Sequence, residues 1–261
     1  MQRTTVTCIR LRQLSSTGTP APRTFRSDAP ASSRKSTTSC SSDSLTTGAQ
    51  ARTGRKFPRI LPLPRRFGAG GARAIADFIR NRPAKRGIVA LYASACEIGE
   101  AGAIALSEVT AKLARLGLNY NSIGDAGALV LMRPLADSAC LLTVVGLTGN
   151  GLTDAAAVGI AEALQAAGAS SRLQRIFLNE NRIGDKGGIA LAAALTASTV
   201  LQRLGLSQNH IGCPGGASLL DAAANSPSCD RVCLFGNPML EDAAFCAKAA
   251  TMPNINTKSH G

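Results

Sequence analysis

The sequence predicts an α/β solenoid of about seven stacked strand–helix units, with parallel strands on a concave face and helices outside. Three observations lead to this prediction. A leucine-rich segment that ends in asparagine recurs at intervals of 28 to 31 residues. Each copy alternates apolar residues as a short strand does and continues into an alanine-rich helical stretch. Aromatic residues make up only 3% of the 261-residue chain, so its core must consist of small aliphatic layers.

Five copies of the repeat are clear or nearly so, and two degenerate copies precede them. The five copies are LARLGLNYNSIGDAGA (113–128), LTVVGLTGNGLTDAAA (142–157), LQRIFLNENRIGDKGG (173–188), LQRLGLSQNHIGCPGG (201–216) and the weaker CDRVCLFGNPMLEDAA (229–244). Their anchor residues are Asn121, Asn150, Asn181, Asn209 and Asn237. Segments 88–103 and 57–72 fit the same pattern with Cys96 and Arg65 at the anchor. The chain therefore contains about seven units.

Each repeat position has a physical role. Alternating leucines, such as Leu116 and Leu118, should point inward from the strand. A buried anchor asparagine can bond the backbone of the turn that follows, and stacked copies would form a ladder. Acids four residues past the anchor should cap free helical N–H groups, and the small pair after them should let each helix approach the strand layer. These acids are Glu100, Asp125, Asp154, Asp185 and Glu241.

The pattern LxxLxLxx(N/C)x(I/L)GDxGA followed by a helix resembles the leucine-rich repeat family, specifically its ribonuclease-inhibitor-like subclass. NOD-like receptors and Ran GTPase-activating proteins carry repeats of this subclass. The resemblance covers residues 57–252 and implies a right-handed βα superhelix curved into a horseshoe arc. It specifies the fold and says little about function.

The chain divides into three segments. Residues 1–56 are rich in Ser, Thr and Arg and predict a disordered basic segment, which also matches an organelle transit peptide in composition. Residues 57–252 form the repeat domain. Within it, 57–87 is interpreted as an N-terminal cap, because Pro58, Pro62 and Pro64 replace strand residues. Residues 253–261 are a short C-terminal tail.

The net charge of +13 is unevenly distributed and does not indicate specific nucleic-acid binding. The basic excess lies in residues 1–86, whereas 87–261 is close to neutral.

No apolar run is long enough for a membrane span. The eight cysteines are scattered without a CxxC pair, which favours free thiols and an intracellular, most simply cytoplasmic, location. Mitochondrial or plastid import through 1–56 is the alternative.

The residues between the inward leucines should face the concave surface. Six residues before the anchor, an arginine recurs at Arg115, Arg175, Arg203 and Arg231. The aromatic residues Tyr92, Tyr120, Phe177 and Phe235 lie on the same side and are candidate anchors. We expect this face to bind another protein with an acidic surface. The alternative interpretation is that the arginines are merely solvated and keep the strands soluble.

No catalytic or metal-binding motif is present in the sequence, which predicts a non-enzymatic interaction module or scaffold without a cofactor. Ribonuclease inhibition is disfavoured, because a basic ribonuclease requires an acidic concave face. One alternative function is a GTPase-activating regulator similar to the Ran activator, although its functional residues do not map onto this chain. A second alternative is a structural subunit of an organellar or ciliary assembly.

Overall fold

The computed structural model describes residues 12–13, 66–81 and 88–258, and its strands form one open sheet in sequence order. The strands are β1 Arg12–Gln13, β2 Ile88–Tyr92, β3 Arg115–Gly117, β4 Val144–Gly146, β5 Arg175–Phe177, β6 Arg203–Gly205, β7 Arg231–Cys233 and β8 Ile255–Asn256. Strands β2 to β8 are parallel, whereas β1 pairs antiparallel with β2. A helix connects each parallel strand to the next, so the predicted α/β solenoid of about seven units is confirmed.

The helices form a second layer in which each packs mainly on its sequence neighbours. They are α1 Gly68–Arg80, α2 Gly99–Thr110, α3 Gly124–Met132, α4 Asp154–Ala167, α5 Asp185–Ala197, α6 Cys213–Asn225 and α7 Ala243–Ala250. Pro134 ends α3 as expected, since the chain passes there into the short 3-10 helix Arg133–Ala136.

The core lies between the strand and helix layers and runs the length of the described solenoid. The middle residues of neighbouring strands stand side by side, as Leu116, Val145 and Ile176 do, and all are almost completely buried. Leu118 and Leu178, just after their strands, are also buried, as the alternation predicts. No unit could bury these side chains alone, because each relies on the next unit to cover them.

The anchor asparagines form the predicted buried ladder, and each one bonds the turn of the preceding unit. Asn181 Oδ1 accepts hydrogen bonds from the backbone N–H groups of Asn150 (2.9 Å) and Leu152 (3.0 Å). Its Nδ2 donates to the carbonyls of Leu147 (3.1 Å) and Leu178 (2.9 Å). Asn121, Asn150, Asn209 and Asn237 make corresponding bonds. These side chains supply partners to buried backbone groups that the short strands leave unpaired.

The acids of three central units cap the helix of the following unit, not their own helix. Asp154 Oδ1 accepts from the backbone N–H groups of Gly184 (2.7 Å) and Gly187 (2.9 Å) at the start of α5. Asp185 does the same for α6, and Asp125 bonds both the N–H and the hydroxyl of Thr153. A carboxylate at the start of one helix thus also lies near the positive end of the next helix dipole.

The small pair after each acid brings neighbouring helices together. The sequence predicted instead that this pair would let each helix approach the strand layer. A Cβ atom at Gly187 would lie 2.7 Å from Ala157 Cβ on the preceding helix and 2.7 Å from Asp154 Oδ1. At Gly102 the nearest atom of the neighbouring helix would be Ala72 Cβ at 3.0 Å. The absence of a side chain at these positions sets the distance between units in the outer layer.

The predicted segment boundaries are only partly covered by the described residues. The expectations for 1–56 fall outside them except at Arg12–Gln13, which form β1. The proline-rich stretch 57–65 also falls outside them, so the cap stays a prediction. At the other end, the sheet continues past residue 252, because Ile255 pairs with Val232 and Asn256 with Cys233.

Removal of an anchor amide should destabilise the fold strongly. Asn181→Ala leaves the buried N–H groups of Asn150 and Leu152 without their acceptor, and we expect the free energy of unfolding to fall by about 3 kcal/mol. The control is Asn225→Ala, because the exposed Asn225 amide only donates to the Asp221 carbonyl. Its expected effect is within about 0.5 kcal/mol in chemical denaturation. Equal losses in the two variants would contradict the ladder.

Two glycine-to-alanine changes should have opposite signs. Gly187→Ala places a methyl group against Asp154 and Ala157, and we expect a loss of about 1–3 kcal/mol in the free energy of unfolding. Gly70→Ala, in the exposed part of α1, meets nothing within 4 Å and should gain up to about 1 kcal/mol from helix propensity. Denaturant titration measures both, and a stabilising Gly187→Ala would disprove close helix packing.

Candidate functional site

The recurring arginines occupy one row of the concave face. Arg175 pairs in register with Arg203, and Arg203 with Arg231, so three arginines stand on adjacent strands. Arg115 lies two strands earlier and is separated from Arg175 by the buried Val144. We call Arg115, Arg175, Arg203 and Arg231 the arginine ladder. The row expected from the sequence is therefore present, with its charge concentrated on β5 to β7.

The centre of the arginine ladder carries positive charge that its surroundings do not fully compensate. Burial lowers the pKa of Arg175, the charges of Arg203 and Arg115 lower it further, and Asp230 opposes them. The Nε atoms of Arg175 and Arg203 are buried without a hydrogen-bond partner. Neither Arg175 nor Arg203 takes part in the ion pairs that Arg66, Arg80 and Lys248 form among the described residues. A crowded pair of guanidinium groups is thus held at the middle of the ladder.

Two of the four candidate aromatic anchors are buried inside the concave layer. Tyr92 is only 8% exposed, and Phe177 only 3%. Each ring lies across a glycine on the next strand, since a Cβ atom at Gly117 would lie 2.7 Å from Tyr92 and one at Gly205 would lie 3.1 Å from Phe177. The rings fill the space that these glycines leave, which leaves them little surface for a partner.

Tyr120 is the exposed member of the aromatic set, at 43%, and it lies on the rim beyond the strand ends. Its ring lies over Gly149 of the next unit, and its hydroxyl donates a 2.7 Å hydrogen bond to Glu180 Oε1 two units away. Phe235, the fourth candidate, is half-buried. Aromatic surface on this side is therefore limited to the rim and to part of Phe235.

A rim of left-handed residues follows the strands and was not recognised as a unit from the sequence. The residue before each anchor has a positive φ, and the series is Ala95, Tyr120, Gly149, Glu180, Gln208 and Gly236. Two open depressions of about 470 and 450 Å³ lie along it, with Gln208 and His210 lining both. Glycine at two of the six positions was the available signal. Glu180 places negative charge opposite the arginine ladder.

Neither a metal-binding cluster nor a membrane-spanning helix occurs among the described residues. They contain no group of three or more His, Cys, Asp or Glu side chains arranged to hold a metal ion. Among the same residues, no helix combines the length and apolarity that crossing a bilayer requires.

The described cysteines are mostly buried or half-buried thiols. Burial raises the pKa of Cys96 and of Cys229 to about 11, which keeps both protonated and poorly nucleophilic near neutral pH. Cys96 fills the anchor position of its unit and donates from its thiol to the Ser94 carbonyl at 3.3 Å. Cys233 differs from the expectation of free thiols throughout, because it is disulfide-bonded.

Comparison with known proteins agrees with this geometry. Residues 173–192 match the family model described as Leucine Rich repeat. These residues run from the start of β5 into α5 and include Asn181 and Asp185. The unit at 173–192 is thus similar to a leucine-rich repeat, and the units stacked on either side of it share its strand–helix architecture.

One curated relative is the NACHT, LRR and PYD domains-containing protein 3 of Macaca mulatta. It is 33% identical over 75 residues, which are 29% of this chain. The match covers only 7% of that protein's length. The likeness therefore concerns a small part of that protein and carries nothing about the rest of it.

Cysteine reactivity should follow burial. In the folded chain, iodoacetamide should modify the exposed Cys213 first and Cys96 far more slowly, because Cys96 is buried and its pKa is about 11. Peptide mass spectrometry over a time course measures both rates. In denaturant the two rates should converge. Equal rates in the folded chain would show that the Cys96 layer opens readily.

Proposed function

We propose that this chain is a non-enzymatic protein-interaction module whose concave face binds an acidic surface of a partner protein at the arginine ladder. The observation that carries the proposal is the adjacent pair Arg175 and Arg203, whose Nε atoms lack partners. Burial lowers the pKa of Arg175, and the charge of Arg203 lowers it further. An acidic partner would relieve this repulsion and supply acceptors. The match to leucine-rich repeats supports a protein as the partner.

The uneven charge of the chain supports a local attraction. Residues 87–261 are close to neutral, so the ladder is a concentrated patch and not part of a uniformly basic surface. We also place the repeats in the ribonuclease-inhibitor-like subclass, supported by the full α-helix between successive parallel strands. Partner binding by Tyr120 and Phe235 belongs to the same proposal. Tyr92 and Phe177 would act indirectly, because their buried rings shape the middle of the concave face.

Each alternative role would give a distinct experimental result. A GTPase-activating role would appear as faster single-turnover GTP hydrolysis by one of a panel of small GTPases. A role as a structural subunit of an organellar or ciliary assembly, and import through 1–56, would appear in the fractionation of a tagged chain. An intracellular, cytoplasmic location is the simpler proposal.

Charge reversal at the ladder should abolish binding of an acidic probe. The probe is an oligoglutamate peptide, titrated into the full chain and followed by the backbone amide NMR signals of β5 and β6. The signals of β5 and β6 report binding at the ladder, so binding of the probe to the basic residues 1–56 is not counted. In Arg175→Glu/Arg203→Glu the affinity should fall by at least about tenfold, because attraction becomes repulsion.

The control is Arg73→Glu/Arg133→Glu, which makes the same change in net charge at exposed positions on α1 and after α3. It should bind the probe as the unaltered chain does. Loss of binding in both variants would attribute the attraction to net charge, and undiminished binding in the ladder variant would refute the proposed site.

A further inference from the structure

We infer that the centre of the arginine ladder recognises a phosphorylated serine or threonine of the partner, gripped jointly by Arg175 and Arg203. This inference rests on the proposed function, because it names the acidic group that the concave face receives. The observations that carry it are the register of the two arginines, their buried Nε atoms without an acceptor, and the flat surface of the sheet next to them.

The spacing of the pair suits a single compact anion. Arg175 and Arg203 are direct register partners on neighbouring parallel strands, which lie about 4.8 Å apart. Both side chains leave the same face at the same height. A tetrahedral phosphate offers three acceptor oxygens and can take a pair of N–H donors from each of two guanidinium groups at this separation.

The charge of the pair also favours phosphate over carboxylate. Burial lowers the pKa of Arg175, and the charges of Arg203 and Arg115 lower it further against the opposing effect of Asp230. Several positive charges therefore act on one partly buried point. One carboxylate supplies a single negative charge, whereas a phosphorylated side chain supplies about −1.5 to −2 near neutral pH. A single phosphate therefore balances the pair without requiring two partner side chains to converge.

The Nε atoms indicate how the grip forms. Nε and the adjacent Nη make up one of the edges through which arginine binds an oxyanion bidentately. In both Arg175 and Arg203 the Nε atom is buried and has no acceptor. Rotation of the terminal torsions would bring these edges to a phosphate above the strands. The phosphate would then provide the acceptor that each Nε lacks.

The surface next to the pair is flat because its gaps are already filled. Two residues after Arg203 is the buried Gly205, where a Cβ atom would lie 2.9 Å from Asn179 Oδ1 and 3.1 Å from the buried ring of Phe177. A partner segment therefore meets no side chain of β6 itself at this position. Beyond it, Glu180 on the rim disfavours further negative charge. The phosphate is thus directed to the arginine edge of the concave face.

The test uses three short glycine–alanine peptides that differ only at a central phosphoserine, glutamate or serine. Each is titrated into the full chain, and affinity is taken from the amide NMR signals of β5 and β6. We expect phosphoserine to bind at least about tenfold more tightly than glutamate, and serine to show no binding.

The discriminating variant is Arg175→Lys/Arg203→Lys, which retains both charges and removes both planar guanidinium groups. It should lose most of the preference for phosphoserine over glutamate, because lysine binds as a point charge. Arg73→Lys, at an exposed site on α1, is the matched control and should keep the preference. Circular dichroism of both variants verifies that they remain folded.

The outcomes separate this inference from the proposed function. Equal binding of phosphoserine and glutamate peptides would overturn phosphate recognition while oligoglutamate binding still supported an acidic partner. Absence of phosphoserine binding, or a phosphoserine preference unchanged in the double lysine variant, would also overturn the inference. Failure of oligoglutamate to respond to charge reversal at Arg175 and Arg203 would remove the proposed function itself.

Discussion

The buried asparagine amide at each anchor is the interaction on which the geometry of the solenoid depends. With strands of three residues, as in β3 to β7, backbone bonds continue past the strands at some positions, such as Gly149 N–H to the Asn179 carbonyl, but the N–H groups of Asn150 and Leu152 bond a side chain instead. The anchor amide provides these bonds by accepting from the turn of the preceding unit and donating to carbonyls on both units. Because the bonds cross from one unit to the next, they fix the register as well as the turn. In-register strands then place Arg175 beside Arg203.

Bonds between units also order the helix layer. There they are made by carboxylates, and small residues leave the space for them. Asp154 and Asp185 each cap the following helix, and glycines at the contact let the carboxylate reach its N–H donors. The chain departs from this arrangement where Cys213 takes the place of the acid. The next helix, α7, is instead capped from within its own unit, since Asp242 accepts from the Phe245 N–H at 2.8 Å. One missing inter-unit bond is thus replaced by a local one.

The concave face contains buried aromatic rings in its middle and a row of charged arginines along one edge. Tyr92 and Phe177 close gaps above glycines and contribute to the shape of the sheet more than to its exposed surface. The ladder arginines differ, because their register brings like charges together. Burial lowers the pKa of Arg175, and those charges lower it further. Stability alone does not require such crowding. The proposed acidic or phosphorylated partner would offset the repulsion within the pair by its attraction to both arginines.

The sequence by itself determined the fold class, the number of units, the inward leucines and the row in which Arg115, Arg175, Arg203 and Arg231 stand. It could do so because each unit repeats the same local periodicity, and stacked units inherit a common register. Only the tertiary structure decided which unit each cap serves, which helices the glycines bring together, and that Phe177 is buried while Tyr120 is exposed. These features depend on contacts between units about 28 residues apart, where the identity of the neighbour at Gly205 or Gly149 decides the outcome. A periodic pattern shows that such a neighbour exists and does not show which atoms it brings into contact.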